Sequence, residues 1–264
     1  MSENERAGRK FAELIRILDD LRGERGCSWD REQDEKTISD YFLEEAYEAV
    51  DAVGRGNPTA LSEELGDVLM EVVFLARIHK EKGEFSILEV LNGINDKMIR
   101  RHPHVFSGKA ELNSDQVLEG WTRQKKKEKS RDSVLDGLVK TLPALFMAFQ
   151  IGNRVSACGF DWTRPEDALQ KVREEFAELE KAIRGRKEDD VVLEIGDILF
   201  AVANVARHLG VNPEMALRRA NEKFIRRFKY IEERLREQGK DIFRAELDEM
   251  DSLWEEAKKT DGSD

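Results

Sequence analysis

The sequence predicts an all-α protein made of two tandem copies of one helical bundle. Apolar residues recur every three or four positions along most of the chain, which is typical of helices with one buried face. Glycine and proline are scarce, with 18 and 5 among 264 residues, and no alternating apolar run bounded by turn residues indicates a strand. Segments of the first half also return in order in the second half, as expected of a duplication.

The predicted helices follow one another through short connections. Pro58, Pro165 and Pro213 stand where three of them should begin. The first turn of a helix tolerates proline because the N–H groups there have no partner within the helix. In chain order we predict helices over 8–22, 37–54, 58–82, 86–101, 114–128, 137–157, 165–184, 188–209, 213–238 and 245–259.

The duplication is visible as collinear matches between the two halves. The first two matching pairs of segments are 130 positions apart and the third is 126 apart, so one loop is four residues shorter in the second copy. The pairs are 44–53 with 174–183, 64–77 with 194–207, and 95–101 with 221–227. We therefore expect an N-terminal helical domain over 1–128, a linker over 129–136 and a C-terminal helical domain over 137–264.

Composition and charge limit the classes of partner that the protein is expected to bind. The chain has 55 acidic and 44 basic residues and a formal charge of −11, so it has no general attraction to nucleic acid or to an anionic membrane. The basic run 123–129 is predicted to be a solvated helix end or linker, with nucleic-acid contact as the minor alternative. Two cysteines, no leader-like start and no apolar run of about 18 residues predict a cytoplasmic protein without disulfides or membrane spans.

Carboxylates recur at the same positions in both copies. Acids three apart project from one side of a helix, and two antiparallel helices could turn such pairs towards each other. Four converging carboxylates would repel one another and require cations. Ligation by oxygen alone favours Mg²⁺, or Mn²⁺, over zinc, whereas the alternative is an ordinary solvated acidic face. The shared acids are Glu44, Glu45, Glu48, Glu64 and Asp67 in the first copy, and Glu174, Glu175, Glu178, Glu194 and Asp197 in the second.

Two further features lie beside these acids. Gly66 and Gly196 each stand inside a predicted helix, where glycine costs about 1 kcal/mol relative to alanine. We expect a neighbouring helix or a ligand to approach closely there. The first copy also has Glu71 where the second has Ala201, an additional acid that would alter the number of bound metal ions or would simply be solvated.

Basic residues form the third shared group. A lysine and an arginine four positions apart share a helix face, which suits the binding of phosphate oxygens. The alternative is an ordinary surface helix with ion pairs. These residues are Lys97, Arg100 and Arg101 in the first copy, and Lys223, Arg226 and Arg227 in the second.

Taken together, these motifs resemble the MazG nucleoside triphosphate pyrophosphohydrolase family in its two-domain form. The hallmark of that family is E-E-x-x-E followed by E-x-x-D on the next helix, and both copies carry it. Four further segments are similar to the family and agree in order and spacing: GCSWDREQ at 26–33, RRHPHVF at 100–106, CGFDW at 158–162 and ANEKFIRRF at 220–228. The resemblance covers nearly the whole chain.

The resemblance implies Mg²⁺-dependent hydrolysis of nucleoside triphosphates to monophosphate and pyrophosphate, as nucleotide-pool house-cleaning, by a helical bundle that forms a homodimer. It implies that the C-terminal copy is the principal catalyst, with Lys223 and Arg227 on the triphosphate. Our candidate for the general base is a carboxylate not fully used as a metal ligand, Glu174 or Glu175. The implied metal ligands are Glu175, Glu178, Glu194 and Asp197, with a second possible set in Glu45, Glu48, Glu64 and Asp67. The implied nucleotide contacts are Glu175, Glu178, Asp190, Val191, Val192, Leu193, Lys223, Arg226, Arg227 and Trp254.

Three alternatives remain open from the sequence. A ferritin-like di-iron protein is disfavoured because that class uses Glu-x-x-His on two helices, and neither copy has a histidine at that spacing. A helical nucleotide sensor would bind a triphosphate without cleaving it. Within the enzymes, an all-α dUTPase-like specificity is the nearest alternative.

Overall fold

The computed structural model describes residues 1–106 and 133–260, and the fold class predicted from the sequence is confirmed. Every regular element among these residues is a helix and none is a strand. The helices are α1 (Glu3–Leu21), α2 (Ser28–Glu32), α3 (Glu35–Gly54), α4 (Pro58–Glu81), α5 (Ile87–Arg101), α6 (Pro103–Phe106), α7 (Ala144–Ser156), α8 (Pro165–Gly185), α9 (Glu188–His208), α10 (Pro213–Glu237), a 3₁₀ turn (Ile242–Arg244) and α11 (Leu247–Thr260).

The chain divides into two compact units, here called unit 1 (Met1–Lys129) and unit 2 (Ser130–Asp264). In unit 1 the main contact is between α3 and α4, which form a hairpin across a three-residue connection, and α1 packs against α4. Five fully buried residues from these three helices form the core, namely Leu18, Ile38, Val73, Phe74 and Ile78. Burial of such side chains stabilises the hairpin by about 1.5–3 kcal/mol each.

Unit 2 repeats the hairpin in α8 and α9, and α9 also packs against α7. The connection between α8 and α9 is only two residues long, and Arg186 there has a positive φ of 52°. A left-handed residue directly after a helix is a common way to end it and turn the chain sharply. A second core joins α10 to α11 through Ile231, Leu235 and Leu253.

The three helices that the sequence predicts to begin at proline do so. Pro58, Pro165 and Pro213 are the first residues of α4, α8 and α10. The side-chain oxygens of Asn57 and Asn212 accept hydrogen bonds from backbone N–H groups in the first turns of α4 and α10. These side chains satisfy N–H groups that the helix itself leaves without partners.

The main error of the sequence interpretation is the helix predicted over 137–157. It begins at Ala144, because Pro143 pushes the residue before it out of helical geometry and itself stands at the N-cap with extended ψ. Helix α1 begins five residues earlier than predicted, at Glu3, where Ser2 and Glu5 form a capping box. The short elements α2, α6 and the 3₁₀ turn were not predicted, because each is too short to show a helical period in its apolar residues.

Some expectations fall outside the described residues. They are the predicted helix 114–128, the basic run 123–129 and the first four positions of the predicted linker 129–136. Those interpretations stay predictions. Over the residues that are described, no helix combines the length and apolar character needed to cross a bilayer.

Arg22, which follows α1, ties three elements of unit 1 together. Its side chain is only 6% exposed, and its guanidinium donates to both carboxylate oxygens of Glu81 at 2.8 and 2.7 Å. It also donates to the backbone carbonyls of Asp30 and Gln33 at 2.5 and 3.1 Å. One side chain therefore holds α2 and its following loop against the end of α4.

Arg22→Ala should lower the free energy of unfolding of unit 1 by about 2 kcal/mol, since it leaves two half-buried carbonyls without this donor and leaves Glu81 with Arg77 as its ion-pair partner. The comparison variant is Lys10→Ala, which removes an exposed ion pair with Glu13 and should cost at most about 0.5 kcal/mol. Urea titrations of both variants and the parent measure the difference. Equal midpoints for the two variants would contradict the role assigned to Arg22.

Candidate metal-binding active site

Two helical hairpins each gather carboxylates into a cluster. In unit 1, Glu45 and Glu48 project from α3 and Glu64 from α4, and one oxygen of each lies within 4.8 Å of the other two. Helices of a hairpin lie about 8–10 Å apart, so side chains as long as glutamate bridge the gap. We call this cluster, together with Asp67, centre 1.

Unit 2 builds the corresponding cluster on α8 and α9. One oxygen each of Glu175, Glu194 and Asp197 lies within 4.8 Å of the others. Glu175 is buried, and its Oε1 accepts a hydrogen bond from Lys171 Nζ at 2.6 Å. We call this cluster, together with Glu178, centre 2.

The fourth predicted ligand of each centre lies outside the tight group of three. Asp67 is not among the three mutually close acids of unit 1, and Glu178 is not among those of unit 2. Both are nevertheless close enough for their charges to act on the group: Asp67 helps to raise the pKa of Glu45, and Glu178 helps to raise the pKa of Glu194. Each centre thus holds four acids in electrostatic contact.

The electrostatics of both centres favour a bound cation. Burial raises the pKa of Glu45, Glu64 and Glu194, and the charges of neighbouring carboxylates raise each of them further. In addition, Oε2 of Glu194 is buried without a hydrogen-bond partner. A hard divalent cation relieves this repulsion between carboxylates. The residues present therefore fit Mg²⁺ or Mn²⁺.

Glu71 is part of the environment of centre 1, and the expectation that it would simply be solvated is wrong. Its side chain is 4% exposed, and its Oε2 is buried without a hydrogen-bond partner. Burial, followed by the charges of Glu45 and Asp67, raises its pKa to about 7. The sequence showed an additional acid at this position but not that it points into the protein.

The two glycines within the acidic motifs have open space beside them. A Cβ built on Gly66 or Gly196 meets no protein atom within 4 Å. The expected close approach of a neighbouring helix is therefore wrong for both. The approach of a ligand at these positions stays a prediction.

The predicted phosphate-binding residues lie on the helix that follows each hairpin. In unit 2, Lys223 and Arg226 are exposed on α10, whereas Arg227 is buried with its guanidinium 5.8 Å from the centre of the Trp254 ring. Arg227 also lines a cavity of about 190 Å³, together with Arg226, Tyr230, Ala257 and Thr260. The corresponding residues of unit 1, Lys97, Arg100 and Arg101, lie on α5. Their convergence with the carboxylates on one triphosphate stays a prediction.

The predicted ligand contacts at 190–193 lie within the first two turns of α9. Asp190 lies near centre 2, because its charge contributes to the raised pKa of Glu194, and Lys187 Nζ is 3.4 Å from its Oδ2. Val192 and Leu193 are exposed and Val191 is half-buried. These residues leave the start of α9 accessible beside the carboxylates.

Sequence reasoning missed Lys171. The signal was its position four residues before Glu175, which places an ammonium and a carboxylate on the same helix face. It also missed a third possible ligand group, Glu35, His79 and Glu84, whose ligand atoms lie within 4.8 Å of one another. Lys82 already forms an ion pair with Glu35 in that group, so its charge is partly compensated without a metal ion.

Fold and site together define a class of protein: an all-α protein with repeated helical hairpins, each presenting an oxygen-only centre suited to a divalent cation. The chain belongs to the MazG family. It matches the MazG nucleotide pyrophosphohydrolase domain twice, over residues 33–106 and 163–231, and these two matches contain the acids of centre 1 and centre 2. The resemblance inferred from the motifs is confirmed.

Two relatives are similar to this chain over almost their full length. A protein of Thermotoga maritima named nucleoside triphosphate pyrophosphohydrolase/pyrophosphatase MazG is 41% identical over 97% of this chain and 98% of its own. An Escherichia coli K12 protein named nucleoside triphosphate pyrophosphohydrolase is 42% identical over 93% and 96%. A crystal structure of a mazG-related protein from Thermotoga maritima covers 44% of this chain and 98% of its own, with 22% identity and a TM-score of 0.39.

Glu71→Gln should stabilise the cation-free protein in a pH-dependent way. The pKa of Glu71 rises from 4.5 to about 7 on folding. Below pH 4.5 the side chain is protonated in both the folded and the unfolded parent, so its ionisation costs no stability. The cost in stability increases between pH 4.5 and about pH 7 and is complete above that. The neutral amide avoids this penalty, which amounts to about 3 kcal/mol. Urea titrations in EDTA should therefore show little difference at pH 4.5 and a gain for the variant at pH 8.

The comparison for this experiment is Glu24→Gln, which removes one negative charge from an exposed position of the same unit. It should shift the stability by less than about 0.5 kcal/mol at both pH values. A stability gain for Glu71→Gln of the same size at pH 4.5 and pH 8 would contradict the environment described for Glu71.

Proposed function

We propose that this protein hydrolyses nucleoside triphosphates to nucleoside monophosphate and pyrophosphate, with a divalent cation. The observation that carries the proposal is the group of Glu175, Glu194 and Asp197, whose oxygens lie within 4.8 Å of one another across two helices. The names of the Thermotoga maritima and Escherichia coli relatives describe this reaction. Their similarity to this chain over nearly its whole length supports the same reaction for this protein.

The proposed cofactor is Mg²⁺, with Mn²⁺ as a substitute. It would be held in unit 2 by Glu175, Glu178, Glu194 and Asp197. Oxygen-only ligation suits these hard cations, and Oε2 of Glu194, buried without a partner, is a ready ligand. When bound, such an ion neutralises charge on phosphate oxygens and makes attack by water easier.

The rest of the proposed site comes from α9, α10 and α11. Lys223 and Arg227 would hold the triphosphate as charged hydrogen-bond donors, and Arg226 would add a third cation. The stacking of Arg227 on Trp254 keeps the guanidinium in a fixed orientation, and the indole would then contact the nucleotide. The exposed residues at 192–193 would close the ligand site beside the carboxylates.

In the proposed reaction a water oxygen bonds to the α-phosphorus. The bond between the α-phosphorus and the oxygen that bridges to the β-phosphorus breaks, and pyrophosphate leaves with that oxygen. One water proton passes to a carboxylate. Of the two candidates, Glu175 already accepts a hydrogen bond from Lys171, whereas Glu174 is exposed and lies 3.9 Å from Lys171 Nζ. We therefore place the general base at Glu174.

Unit 2 is the proposed catalytic unit. Its centre includes the ammonium of Lys171, which lowers the negative charge that an incoming triphosphate must approach. The pair of Arg227 and Trp254 also lies in this unit. A role in nucleotide-pool house-cleaning and a location in the cytoplasm accord with this activity and stay predictions, as does the base preference, including a dUTPase-like one.

We further propose a homodimer. The two hairpins expose apolar residues at corresponding positions of α4 and α9: Leu65 and Ile195 are 54% and 46% exposed, and Leu69 and Leu199 are 42% and 49% exposed. Apolar residues four apart form a continuous stripe on a helix. Such stripes favour burial against another protein surface, and a second copy of this chain supplies a matching one.

Product analysis tests the activity. We expect the parent with Mg²⁺ to convert nucleoside triphosphates to monophosphate and pyrophosphate. Glu175→Gln should lower kcat at least ~100-fold, because it removes a charge that faces the cation in the transition state. Glu45→Gln, the same change in unit 1, should leave most of the turnover. Chromatography of the nucleotides and an assay of pyrophosphate measure these outcomes.

The matched control is Glu180→Gln, which removes an exposed carboxylate from the same helix as Glu175. It should retain the turnover of the parent. Release of diphosphate and phosphate would refute the proposed bond cleavage. Binding of triphosphates without any cleavage would instead support the helical sensor.

Leu199→Glu tests the homodimer. A charge placed in the stripe should disfavour its burial and shift the mass measured by analytical ultracentrifugation from two chains towards one. The control is Glu180→Gln, which lies outside the stripe. A parent that sediments as a single chain at micromolar concentration would contradict the homodimer.

A further inference from the structure

An aromatic pair, Trp29 of α2 and Tyr41 of α3, lies at the surface of unit 1. The two ring centres are 6.3 Å apart and the ring planes are inclined by 41°, an ordinary geometry for aromatic side chains in contact. Tyr41 is half-buried and packs against the core, so its position is fixed. Trp29 is 54% exposed, so a large part of this residue remains in contact with water.

The backbone that carries Trp29 is held in place. Gln33 Nε2 donates a hydrogen bond to the backbone carbonyl of Trp29 at 2.9 Å. The next carbonyl along the chain, that of Asp30, accepts a hydrogen bond from the buried guanidinium of Arg22. A side chain on a backbone fixed in this way has little conformational freedom to lose when a ligand binds to it.

Tyr41 connects the aromatic pair to centre 1. It stands four residues before Glu45 on α3, so both side chains project from one face of the helix, with Cβ atoms about 5–6 Å apart. Glu45 is one of the three acids of centre 1 whose oxygens lie within 4.8 Å of one another. In unit 2 the corresponding residue is Lys171, which forms an ion pair with Glu175. The aromatic residue at this position is therefore a feature of unit 1.

This combination of rings and carboxylates limits the kind of ligand that fits. A protein partner that covered Trp29 and Tyr41 would also cover the neighbouring acids, and burial of several like charges without compensation is costly. A nucleotide has a flat aromatic base at one end and phosphates at the other, joined by one sugar. Its base can stack on aromatic side chains, and its phosphates share divalent cations with carboxylates.

We propose that unit 1 binds a nucleotide of its own, whose base stacks on Trp29 beside Tyr41 while the phosphates and their cation lie towards centre 1. Because every base has a face that can stack, this site accepts purine and pyrimidine nucleotides alike. It is separate from the nucleotide site proposed on α9, α10 and α11 of unit 2. The inference rests on the proposed function for its choice of a nucleotide as the ligand.

The test is fluorine NMR on the full chain labelled with fluorotryptophan. The chain has four tryptophans, and the signal of Trp29 is the one that Trp29→Phe lacks. The α,β-methylene analogues of ATP and CTP, in which a methylene group replaces the oxygen of the bond to be cleaved, should each shift this signal to saturation in the presence of Mg²⁺. Tripolyphosphate, which has no base, should leave the signal close to its starting position.

Two results of this titration would overturn the proposal. One is a Trp29 signal that does not move with millimolar nucleotide analogue. The other is a signal that moves as far with tripolyphosphate as with the analogues, because the base would then have no part in the binding.

Variants of Tyr41 test the second ring. Tyr41→Lys, which introduces the residue of unit 2, should raise the analogue concentration that half-saturates the Trp29 shift about 10-fold. Tyr41→Phe keeps the ring and should titrate as the parent does. The control Phe243→Ala removes an aromatic side chain that is 94% exposed in unit 2, and it should also titrate as the parent does. Equal half-saturation in Tyr41→Lys and the parent would contradict the proposed site.

Two further measurements separate this inference from folding and from the proposed function. Circular dichroism shows whether the helices of Tyr41→Lys are intact, and the titration of the parent decides the proposal even where they are not. The Trp254 signal, identified with Trp254→Phe, reports the site of unit 2. A shift of Trp254 alone would overturn the inference and leave the proposed function intact. A Trp29 shift in a parent that cleaves no triphosphate would support the inference while the proposed function fails.

Discussion

Repulsion between carboxylates that two helices hold together is the constraint on which the site depends. The α3–α4 and α8–α9 hairpins are held together by helix packing, with Ile38 and Val73 in the core of unit 1, so the backbones cannot move apart to relieve the repulsion. Helix packing therefore stores an electrostatic cost that a cation removes. Stability and ligand binding are coupled through the same few side chains.

The sequence was sufficient for the fold class because helical periodicity and duplication are global signals. It also predicted acids that come together across each hairpin, and three of the four do so in each copy, whereas their binding of a metal ion stays a prediction. The start of α7 could not be predicted from periodicity. Leu138 and Leu142 continue the apolar pattern of the helix, although Pro143 prevents the helix from extending to the residues before it. Periodicity describes which faces are apolar, not where the backbone turns.

The environment of single side chains was the second kind of information that the sequence lacked. Glu71 and Glu48 are both acids on the hairpin of unit 1, yet Glu71 is buried and Glu48 is exposed. The difference depends on how far each side chain lies from the helix–helix contact, which becomes known only when the helices are packed. The same holds for Gly66, where open space rather than a neighbouring helix lies beside the backbone.

The short connections within the hairpins also bear on how the protein folds. The acids of centre 1 come from a stretch of 23 residues, Glu45 to Asp67, and those of centre 2 from an equally short stretch, Glu175 to Asp197. Contacts between residues so close along the chain form quickly, because little loop entropy opposes them. Each centre can therefore assemble early in folding, from the residues of its own hairpin alone.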